Sequence, residues 1–575
     1  MPRYIFDLET DGLLDDVTTI HCMVIKDIDT GQALGYTGKG IWTEGIPKLE
    51  KADMICGHNI IKYDIPVLQK LGTFNPQGQI RDTLVCTRLV WADVKQADFT
   101  RTDFPKKLIG SHSLAAWGHR IGNYKDDYNG GWEAYNDEML EYCFQDVEVT
   151  NTLWKKIEAK KYSEQAIELE HEVAELIHRQ EQAGFAFDKE TAGKLYAKLS
   201  ARKQELTGKL LENIPPWQIK LKTKTKLVEF NPASRDQCAK VLKQYGWEPA
   251  DFSPAGKPKV DETTLAQITN SPEGGDPMLL ELATIMGEYF LLIKRLGQLG
   301  DGNQAWLKVE RGGRIHGSCN TNGAVTGRAT HAYPNVAQVP SCGAPYGKDC
   351  RELFTVGRGK KLVGVDVSGL ELRCLAHYMA RYDGGAYGET VVNGDIHTAN
   401  QEAAGLATRP QAKTFIYGFL YGAGAGKLGS IVGKGAKEGA LLKARFLRKL
   451  PALANLIERV QKAAERGYII GLDGRHLKVR SPHSALNVLL QSAGALICKQ
   501  WMVEFDKALK DKGLAESCQQ VAWVHDEIQL ETKEDMAHEI GELAVECIKR
   551  AGDHFSIRCE LTGEYNIGNN WAETH

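Results

Sequence analysis

The chain has 575 residues, which is too long for one hydrophobic core and predicts about three or four domains. Hydrophobic residues make up 42% and charged residues 25%, as in most globular proteins, and no apolar run approaches the ~18 residues of a membrane span. The 13 cysteines include no Cys-x-x-Cys pair, which argues against a disulfide framework or a cysteine zinc site and predicts reduced thiols. The net charge of −3 shows no overall basic character, although a local groove of cations is compatible with it.

Four stretches follow one another along the chain. Residues 1–155 mix short strands, such as YIFDLE, with helical segments, and predict an α/β module. A long helical pattern runs over residues 162–184, and residues 188–300 are mostly helical and rich in Lys. From residue 305 onward we expect strands and helices to alternate to the end of the chain.

The first stretch contains an ordered set of carboxylates. Asp7 and Glu9 lie two apart on an apolar strand, so both side chains project from one face. Asp64 follows in GHNIIKYDIPVL, and Tyr142 and Asp146 are four apart on one helix face in EYCFQDVEVT. Four carboxylates and a tyrosine suit two metal ions and a group that orients water, which predicts hydrolysis of a phosphodiester. A lone Asp-x-Glu carries little weight because surface acids are common, but the whole set in this order favours function.

Two later segments place further carboxylates at the ends of apolar strands. KLVGVDVSGLELR ends its strand at Asp366, with Glu371 beyond, and VAWVHDEIQL has two half-strands that meet at His525, Asp526 and Glu527. An ionised carboxylate in such a place is costly unless a cation or a partner compensates it. Two such strand ends predict a shared pair of divalent ions and two-metal phosphoryl transfer, which favours a nucleotide-polymerising enzyme.

Between these segments, TRPQAKTFIYGFLYGAG carries two cations and two aromatic residues at intervals of four. On a helix, Arg409, Lys413, Tyr417 and Tyr421 form a gently drifting ridge that suits a triphosphate and a base. His397 lies just upstream as a further phosphate donor or as a structural hydrogen-bonding residue. The competing interpretation is an amphipathic helix whose tyrosines pack in a core. Four other residues can fill that core instead, namely Phe415, Ile416, Phe419 and Leu420.

These residues also carry a family resemblance. TGR (Thr326 to Arg328), DVSGLELR, RPQAKTFIYGFLYG and VHDE, in this order, resemble the motifs of family A DNA polymerases. FDLETDGLL, GAVTGRATHAYPN, SPHSALNVLLQSAGALICKQW and NWAETH are similar to one branch of that family, the replicative enzymes of T-seven-like short-tailed bacteriophages. The resemblance covers nearly the whole chain and implies template-directed DNA synthesis with 3′–5′ proofreading.

The implied architecture is α/β and multidomain. An RNase H-like (DnaQ-like) 3′–5′ exonuclease fold is expected over residues 1–155, and a family A polymerase over residues 156–575. Within the polymerase, a right hand is expected, with the thumb over about 188–305, the palm over about 306–395 and 485–575, and the fingers over about 396–484.

The resemblance also implies roles for matching residues. It implies two Mg²⁺ ions per active site, which Mn²⁺ can replace, held in the polymerase by Asp366, Asp526 and the Val367 carbonyl. The primer 3′-hydroxyl would attack the α-phosphorus of the dNTP and release pyrophosphate. Glu371 would exclude a ribose 2′-hydroxyl, in part by bonding Tyr417. Arg409, Lys413 and His397 would bind the triphosphate, and Lys413 would also protonate the leaving group. Tyr417 would contact the sugar and base, and Tyr421 would order the template. Arg328, Asn487 and Gln491 would contact the minor groove, while His525 and Glu527 would support the primer end and the metal site.

In the exonuclease, the resemblance implies a second pair of metal ions. Their ligands would be four carboxylates, with a tyrosine orienting the water: Asp7, Glu9, Asp64, Asp146 and Tyr142. The expected partners are primer–template DNA and dNTPs, together with a phage helicase-primase and a single-stranded-DNA-binding protein. The expected location is the cytoplasm of an infected bacterial host, with no membrane contact.

One departure from the phage branch changes the expected partners. Those polymerases carry a long thumb insertion that recruits host thioredoxin, whereas here ENIPPWQIKLKTKTK passes almost directly to LVEFNPASRDQ, so thioredoxin is not expected. Lys220, Lys222, Lys224 and Lys226 remain, spaced by two. In a strand all four would project to one side, as a basic edge that grips DNA phosphates or as a solvated surface ribbon.

Three rival functions stay open at this point. A single-subunit RNA polymerase shares the palm carboxylates but is disfavoured by the exonuclease module and by Glu371. A repair-type family A polymerase often has a dead proofreading module, whereas all four exonuclease carboxylates are present here. A nucleic-acid-binding protein with decayed catalysis is disfavoured by the intact acidic sets in both halves.

Overall fold

The computed structural model describes residues 2–124, 128–220, 225–270 and 275–575, and shows a mixed α/β protein. Among the described helices, none combines the length and the apolar composition that a bilayer crossing requires. We divide the chain into an N-terminal module (residues 2–158), a middle region (164–355) and a C-terminal module (360–575).

The N-terminal module is built on a five-stranded mixed sheet in the order β3-β2-β1-β4-β5. The pairs β1/β2 and β2/β3 are antiparallel, and β1/β4 and β4/β5 are parallel. Its strands and helices are β1 (Arg3–Thr10), β2 (Ile20–Asp27), β3 (Ala33–Thr37), α1 (Ile46–Glu50), β4 (Met54–Gly57), α2 (Asp64–Leu71), β5 (Gln79–Asp82), α3 (Thr83–Val90), α4 (Val94–Asp98), α5 (Leu114–Ile121) and α6 (Asp137–Glu158).

The pleat of β1 determines which of its side chains lie on the side of the sheet that faces α6. Ile5 packs into the core on the α6 side of the sheet with Met139, while Phe6 and Leu8 join the core on the other side. Asp7 and Glu9 share the parity of Ile5 and therefore lie on the side of α6. Helix α6 starts where the Asn136 side chain accepts the backbone N–H of Met139, which satisfies one of the free donors of the first turn.

In the middle region, residues 188–300 are mostly helical, as predicted, and the long helical pattern over 162–184 is confirmed as α7. A three-stranded sheet in the order β12-β6-β9 and a β10/β11 pair close it against the C-terminal module. The elements are α7 (Glu164–Ala183), β6 (Phe185–Phe187), α8 (Lys189–Asn213), β7 (Trp217–Lys220), β8 (Thr225–Val228), α9 (Arg235–Gln244), α10 (Glu262–Thr269), α11 (Pro277–Leu296), α12 (Trp306–Val309), β9 (Arg314–Ile315), β10 (Ser318–Asn320), β11 (Thr330–Ala332), α13 (Gly347–Glu352) and β12 (Phe354–Thr355).

The lysine-rich segment differs from its expectation as a single strand with one basic side. Strands β7 and β8 form an antiparallel hairpin in which Lys220 lies opposite Thr225 and Ile219 lies opposite Lys226. Directly opposed residues share a face, so Lys220 and Lys226 project to opposite faces and the expectation is wrong for this pair. Lys222 and Lys224 lie outside the described residues.

The C-terminal module centres on an antiparallel four-stranded sheet in the order β16-β17-β13-β18. The expected alternation of strands and helices fails over residues 370–464, where seven helices follow one another. The elements are β13 (Lys360–Val367), α14 (Leu370–Asp383), α15 (Ala386–Asn393), α16 (Ile396–Ala404), α17 (Arg409–Leu420), α18 (Ala425–Ser430), α19 (Ala436–Lys449), α20 (Pro451–Ala464), β14 (Tyr468–Ile470), β15 (His476–Lys478), α21 (Ala485–Asp511), β16 (Cys518–Val524), β17 (Glu527–Lys533), α22 (Ala537–His554) and β18 (Gly563–Gly568).

A buried ion cluster ties α7 to the C-terminal module. The Glu170 carboxylate lies 2.5 Å from Lys499 Nζ on α21 and 2.8 Å from Arg475 Nη1, and all three side chains are buried. Asp473 forms a second ion pair with Arg475, at 2.7 Å, within the turn between β14 and β15. Because each charge is buried with opposite charges around it, loss of the central carboxylate leaves two cations with less compensation.

We predict that Glu170→Ala lowers the free energy of unfolding by about 3–5 kcal/mol, as is usual when one partner of a buried pair is removed. Glu172→Ala is the matched control, because Glu172 lies on the same helix and pairs with Lys507 in an exposed ion pair. The control should cost less than about 1 kcal/mol. Calorimetric unfolding of both variants checks the prediction, and equal losses would contradict it.

Candidate active sites

The register of β13 with β17 brings the predicted strand ends together. Asp366 lies directly opposite Glu527, and the backbone N–H of Val367 donates to the Asp526 carbonyl at 3.1 Å. Strand β16 pairs with β17 at Val524 and Glu527, which leaves His525 and Asp526 as a two-residue turn. His525 takes a positive φ of 60° there, as a tight turn between antiparallel strands requires. The sheet therefore gathers the residues that the sequence analysis assigned to one site.

The electrostatics of this site favour a bound cation. Desolvation, followed by the neighbouring Asp526 and Glu527, raises the pKa of Asp366 to about 7. Desolvation, followed by Glu371, raises the pKa of Asp526 to about 6. Carboxylates whose pKa is raised by burial and by neighbouring carboxylates are stabilised by a divalent ion, and clustered carboxylate and carbonyl oxygens are the ligands that Mg²⁺ prefers. The residues present therefore fit a Mg²⁺ site.

The Glu527 carboxylate is held by three other side chains. Its Oε1 accepts from Gln529 Nε2 at 2.5 Å and from Trp571 Nε1 at 2.6 Å, and its Oε2 lies 2.7 Å from His575 Nδ1. Burial alone would raise the pKa of Glu527, but these three partners outweigh it and lower the pKa. The last residues of the chain thus fold back and keep this carboxylate ionised beside Asp526.

Glu371 lies at the edge of a cavity of about 300 Å³ beside the strand ends. The Tyr421 hydroxyl donates to Glu371 at 2.7 Å, and Arg328 lies 3.9 Å from the same carboxylate oxygen. The expected bond from Tyr417 is therefore corrected to one from Tyr421. Tyr421 lies just past the last residue of α17, where the chain turns toward Glu371, and Tyr417 remains half-buried on the helix.

Helix α17 presents the predicted ridge. Thr408 and Gln411 form a capping box that fixes its start. Arg409 and Lys413 are exposed, and Arg409 Nε donates to Asp395 at 2.8 Å. The core role expected of four other residues is confirmed, because all of them are buried: Phe415, Ile416, Phe419 and Leu420.

His397 lies at the start of α16, close to this ridge. Its Nδ1 is buried and has no hydrogen-bond partner in the described part of the chain. Partial burial, followed by the charges of Arg409 and Lys413, lowers the pKa of His397, and its ring centroid is 6.3 Å from that of Tyr417. The imidazole is therefore neutral near pH 7, and a protonated Nδ1 would be free to donate to an anion.

Asn487 and Gln491 lie one turn apart on α21, and both are partly exposed. A Cβ built on Gly422 would lie 3.8 Å from Asn487 Nδ2, so Asn487 lies beside the turn that follows Tyr421. Of the three minor-groove candidates, Arg328 lines the cavity that contains Glu371, and Asn487 lies beside the turn that follows Tyr421, another residue of its lining.

The N-terminal module holds a second cluster. Ligand atoms of Asp7, Glu9 and Cys143 lie within 4.8 Å of one another. Burial raises the pKa of the Cys143 thiol well above its ordinary value, so the sulfur is neutral and a weak metal ligand. The sequence analysis did not include Cys143, although its position one residue after Tyr142 on an inward helix face was a usable signal.

Asp64 is buried at the start of α2. Burial, followed by the charge of Asp82, raises the pKa of Asp64 to about 7, although the Leu8 backbone N–H donates to its carboxylate. Because Leu8 lies between Asp7 and Glu9, this bond places Asp64 at the same strand. Asp82 was also missed by the sequence analysis. Its carboxylate orders the loop before Asp64 by accepting three backbone N–H groups, those of Asn59, Ile61 and Leu84.

Tyr142 and Asp146 lie one helical turn apart on α6, as predicted. The Tyr142 ring lies 5.6 Å from that of Tyr128 and 6.3 Å from that of Trp132, and Asp146 is buried. Helix α6 packs against β1, so both residues lie on the element that faces Asp7 and Glu9.

Comparison with known proteins gives a consistent result. The model of DNA polymerase family A matches residues 200–573. The chain is 38% identical to the DNA-directed DNA polymerase of Escherichia phage T7, over 99% of both chains, and 37% identical to that of Enterobacteria phage T3, with the same coverage. The T7 alignment spans 704 positions against 575 residues here, so at least 129 of its positions have no residue in this chain.

A more distant likeness extends to cellular polymerases. DNA polymerase I of Pseudomonas aeruginosa is 26% identical over 89% of this chain and 56% of its own length. A solved structure described as the POL domain of Pol1 from M. smegmatis in complex with DNA primer-template and dNTP has a TM-score of 0.77. That structure is 19% identical, and the match covers 100% of this chain and 96% of the other.

We predict that Asp526→Asn stabilises the protein in EDTA at pH 8, by about 1–2 kcal/mol. The folded pKa of Asp526 is raised, so between about pH 4 and 6 the unfolded state binds fewer protons and stability falls as pH rises. The stability gained by Asp526→Asn should therefore become smaller toward pH 4. Thermal unfolding across this pH range measures it, with the exposed Asp511→Asn as the control. A gain of the same size in the control, or none at pH 8, would refute the account.

Proposed function

The chain belongs to DNA polymerase family A and is a DNA-directed DNA polymerase similar to those of phages T7 and T3, and from that premise we propose that it also proofreads. One observation carries the proposal: carboxylates are gathered at two separate places, Asp366 with Asp526 and Glu527, and Asp7 with Glu9. The first place serves primer extension and the second serves 3′–5′ removal of nucleotides.

In synthesis, Asp366, Asp526 and the Val367 carbonyl would hold Mg²⁺, with Mn²⁺ as a substitute. When bound, the metal lowers the cost of deprotonating the primer 3′-hydroxyl and neutralises charge on the phosphates. Glu527 stays ionised through its bonds to Gln529 and Trp571, and helps to position the primer end together with His525.

The exposed ridge of α17 binds the triphosphate of the incoming dNTP. Arg409 exchanges its pairing with Asp395 for a phosphate, and Lys413 donates a proton to the departing pyrophosphate oxygen. His397 donates one hydrogen bond to the same group. Because Arg409 and His397 lie in the first turns of α17 and α16, the helix dipoles add to the attraction there.

Selectivity arises around Glu371. Tyr421 holds this carboxylate at the cavity wall, where it excludes a ribose 2′-hydroxyl, and Tyr417 contacts the sugar and base. Tyr421 also orders the template base. Three side chains contact the minor-groove acceptors that correct base pairs share, namely Arg328, Asn487 and Gln491.

Proofreading belongs to the N-terminal module, and its sheet order and strand directions support an RNase H-like fold. Tyr142 orients the attacking water, and the neutral Cys143 packs beside the carboxylates without binding metal. The metal ligands would be Asp7, Glu9, Asp64 and Asp146. With this assignment, the domain boundaries expected from the sequence stand as proposals, with the exonuclease ending near residue 155.

The partners follow from the same assignment. The enzyme binds primer–template DNA and dNTPs, and we place it in the cytoplasm of an infected bacterial cell beside a helicase-primase and a single-stranded-DNA-binding protein. The alignment positions of the T7 enzyme that have no residue here, and the short β7 and β8 strands, support a polymerase that works without thioredoxin.

The two activities should separate by mutation. We predict that Asp526→Ala abolishes primer extension, by more than about 1,000-fold, while leaving degradation of a 3′ end intact. Asp7→Ala combined with Glu9→Ala should do the converse. Extension of a labelled primer with dNTPs, and its degradation without them, measure both activities on one substrate. Loss of both activities in either variant would contradict two independent sites, and retained unfolding temperatures serve as the control.

A further inference from the structure

A cavity of about 430 Å³ lies where the N-terminal module meets the middle region and the C-terminal module. One wall comes from the end of α3 and from α4, and the other from residues 320–325 and the segment after β15. Four cations line it, two from each side: Arg88, Lys95, Lys478 and Arg480.

The cavity has little negative charge of its own. Asp93 is the single acidic residue in its lining, and none of the four cations has an ion pair in the parts of the chain that the structure describes. Burial lowers the pKa of the Arg88 guanidinium, although the charges of Asp82 and Glu181, which lie outside the cavity lining, oppose this shift. A cation without a partner in such a place is unfavourable, so the cavity favours an anion.

Neutral hydrogen-bonding groups complete the lining. The Nδ1 atom of His112 is buried without a hydrogen-bond partner among the described residues. Burial, followed by the charge of Arg88, lowers the pKa of His112 to about 3, so its ring is neutral and has one N–H to donate. The Asn322 side chain donates to the Arg88 carbonyl at 2.8 Å and so fixes the two walls to each other. The site is therefore preformed between the N-terminal module and the middle region.

The shape of the lining favours a nucleic-acid backbone over a free nucleotide. Among the described residues no Phe, Tyr or Trp lines the cavity, so it lacks the large aromatic faces on which bases stack. Lys95, Lys478 and Arg480 are exposed, so the cations of the cavity can be reached from solvent.

The cavity also adjoins residues that contact DNA in the proposed function. Ala324 and Val325 in its wall come directly before the turn that carries Arg328, and Val488 follows Asn487 on α21. A DNA strand whose base pair lies against Arg328 and Asn487 therefore has its phosphate backbone close to the cavity.

We propose that this cavity binds backbone phosphate of the primer–template, so that Arg88 and Lys95 of the N-terminal module help to hold DNA during synthesis. The inference rests on the proposed placement of DNA at Arg328 and Asn487. The N-terminal module then has a second role, which is independent of its hydrolytic carboxylates. Neutralising its cations weakens DNA binding and leaves both active sites unchanged.

The test uses the full chain with Lys95→Ala, Lys478→Ala and Arg480→Ala combined. The matched control removes three exposed lysines that line no part of the cavity and have no ion pair in the described structure: Lys39, Lys51 and Lys512. A fluorescent primer–template with a dideoxy end is titrated in EDTA at several salt concentrations. We expect roughly tenfold weaker binding at low salt and a log–log salt slope smaller by about 1 to 2, since each phosphate contact contributes about 0.9. The control should match the parent, and an unchanged slope in the test variant would overturn the proposal.

A second arm locates the phosphate. Single linkages of the template strand, and then of the primer strand, are replaced by uncharged methylphosphonates. We expect one linkage, or two neighbours, whose neutralisation weakens the parent but not the triple variant. Equal losses in both proteins at every linkage would refute a specific contact.

Measuring both enzymatic activities distinguishes a failure of this phosphate site from a failure of the proposed function. Single-nucleotide incorporation at saturating DNA and 3′-end degradation should remain within about twofold of the parent in the triple variant. Loss of incorporation at saturating DNA would contradict a site that acts through binding alone.

Discussion

The antiparallel register of β13 with β17 is the constraint on which the polymerase site depends. It places Asp366 opposite Glu527 and fixes Asp526 in the adjoining turn, so three acids meet at one end of a buried sheet. Three neighbouring carboxylates repel one another, and the surrounding structure compensates for this repulsion. Trp571 and the chain terminus satisfy Glu527, and the raised pKa values of the two aspartates leave a place for divalent cations.

The N-terminal module also brings carboxylates together, but it does so with different elements. Asp7 and Glu9 lie on one face of β1, and Asp64 reaches the strand through the Leu8 backbone N–H. Helix α6 brings Tyr142 and Asp146 to that face. In each module a strand supplies the first acids and a separate element completes the set, which explains why the acids are far apart in the sequence.

Local patterns predicted the elements that carry the sites, but not the contacts between them. Apolar runs that end in acids predicted the strand ends at Asp366 and Asp526, and the interval of four predicted the ridge of α17, which ends one residue before Tyr421. The predicted hydrogen-bond partner of Glu371 was wrong, because the turn after α17 places Tyr421 beside Glu371, and the periodicity of the helix does not encode that turn. The ties of Glu527 to Trp571 and His575 join residues more than 40 positions apart, and no local pattern encodes such a contact. The prediction for the lysine segment was wrong because Lys220 and Lys226 lie on two paired antiparallel strands and not on one.

Anomalous diffraction from crystals soaked in Mn²⁺ tests the central claim most directly, because it shows where divalent ions bind. With a dideoxy-terminated primer–template and a dNTP bound, the account predicts one group of peaks between Asp366 and Asp526 and a second beside Asp7 and Glu9. Absence of a peak between Asp366 and Asp526, with the N-terminal group occupied, would contradict it.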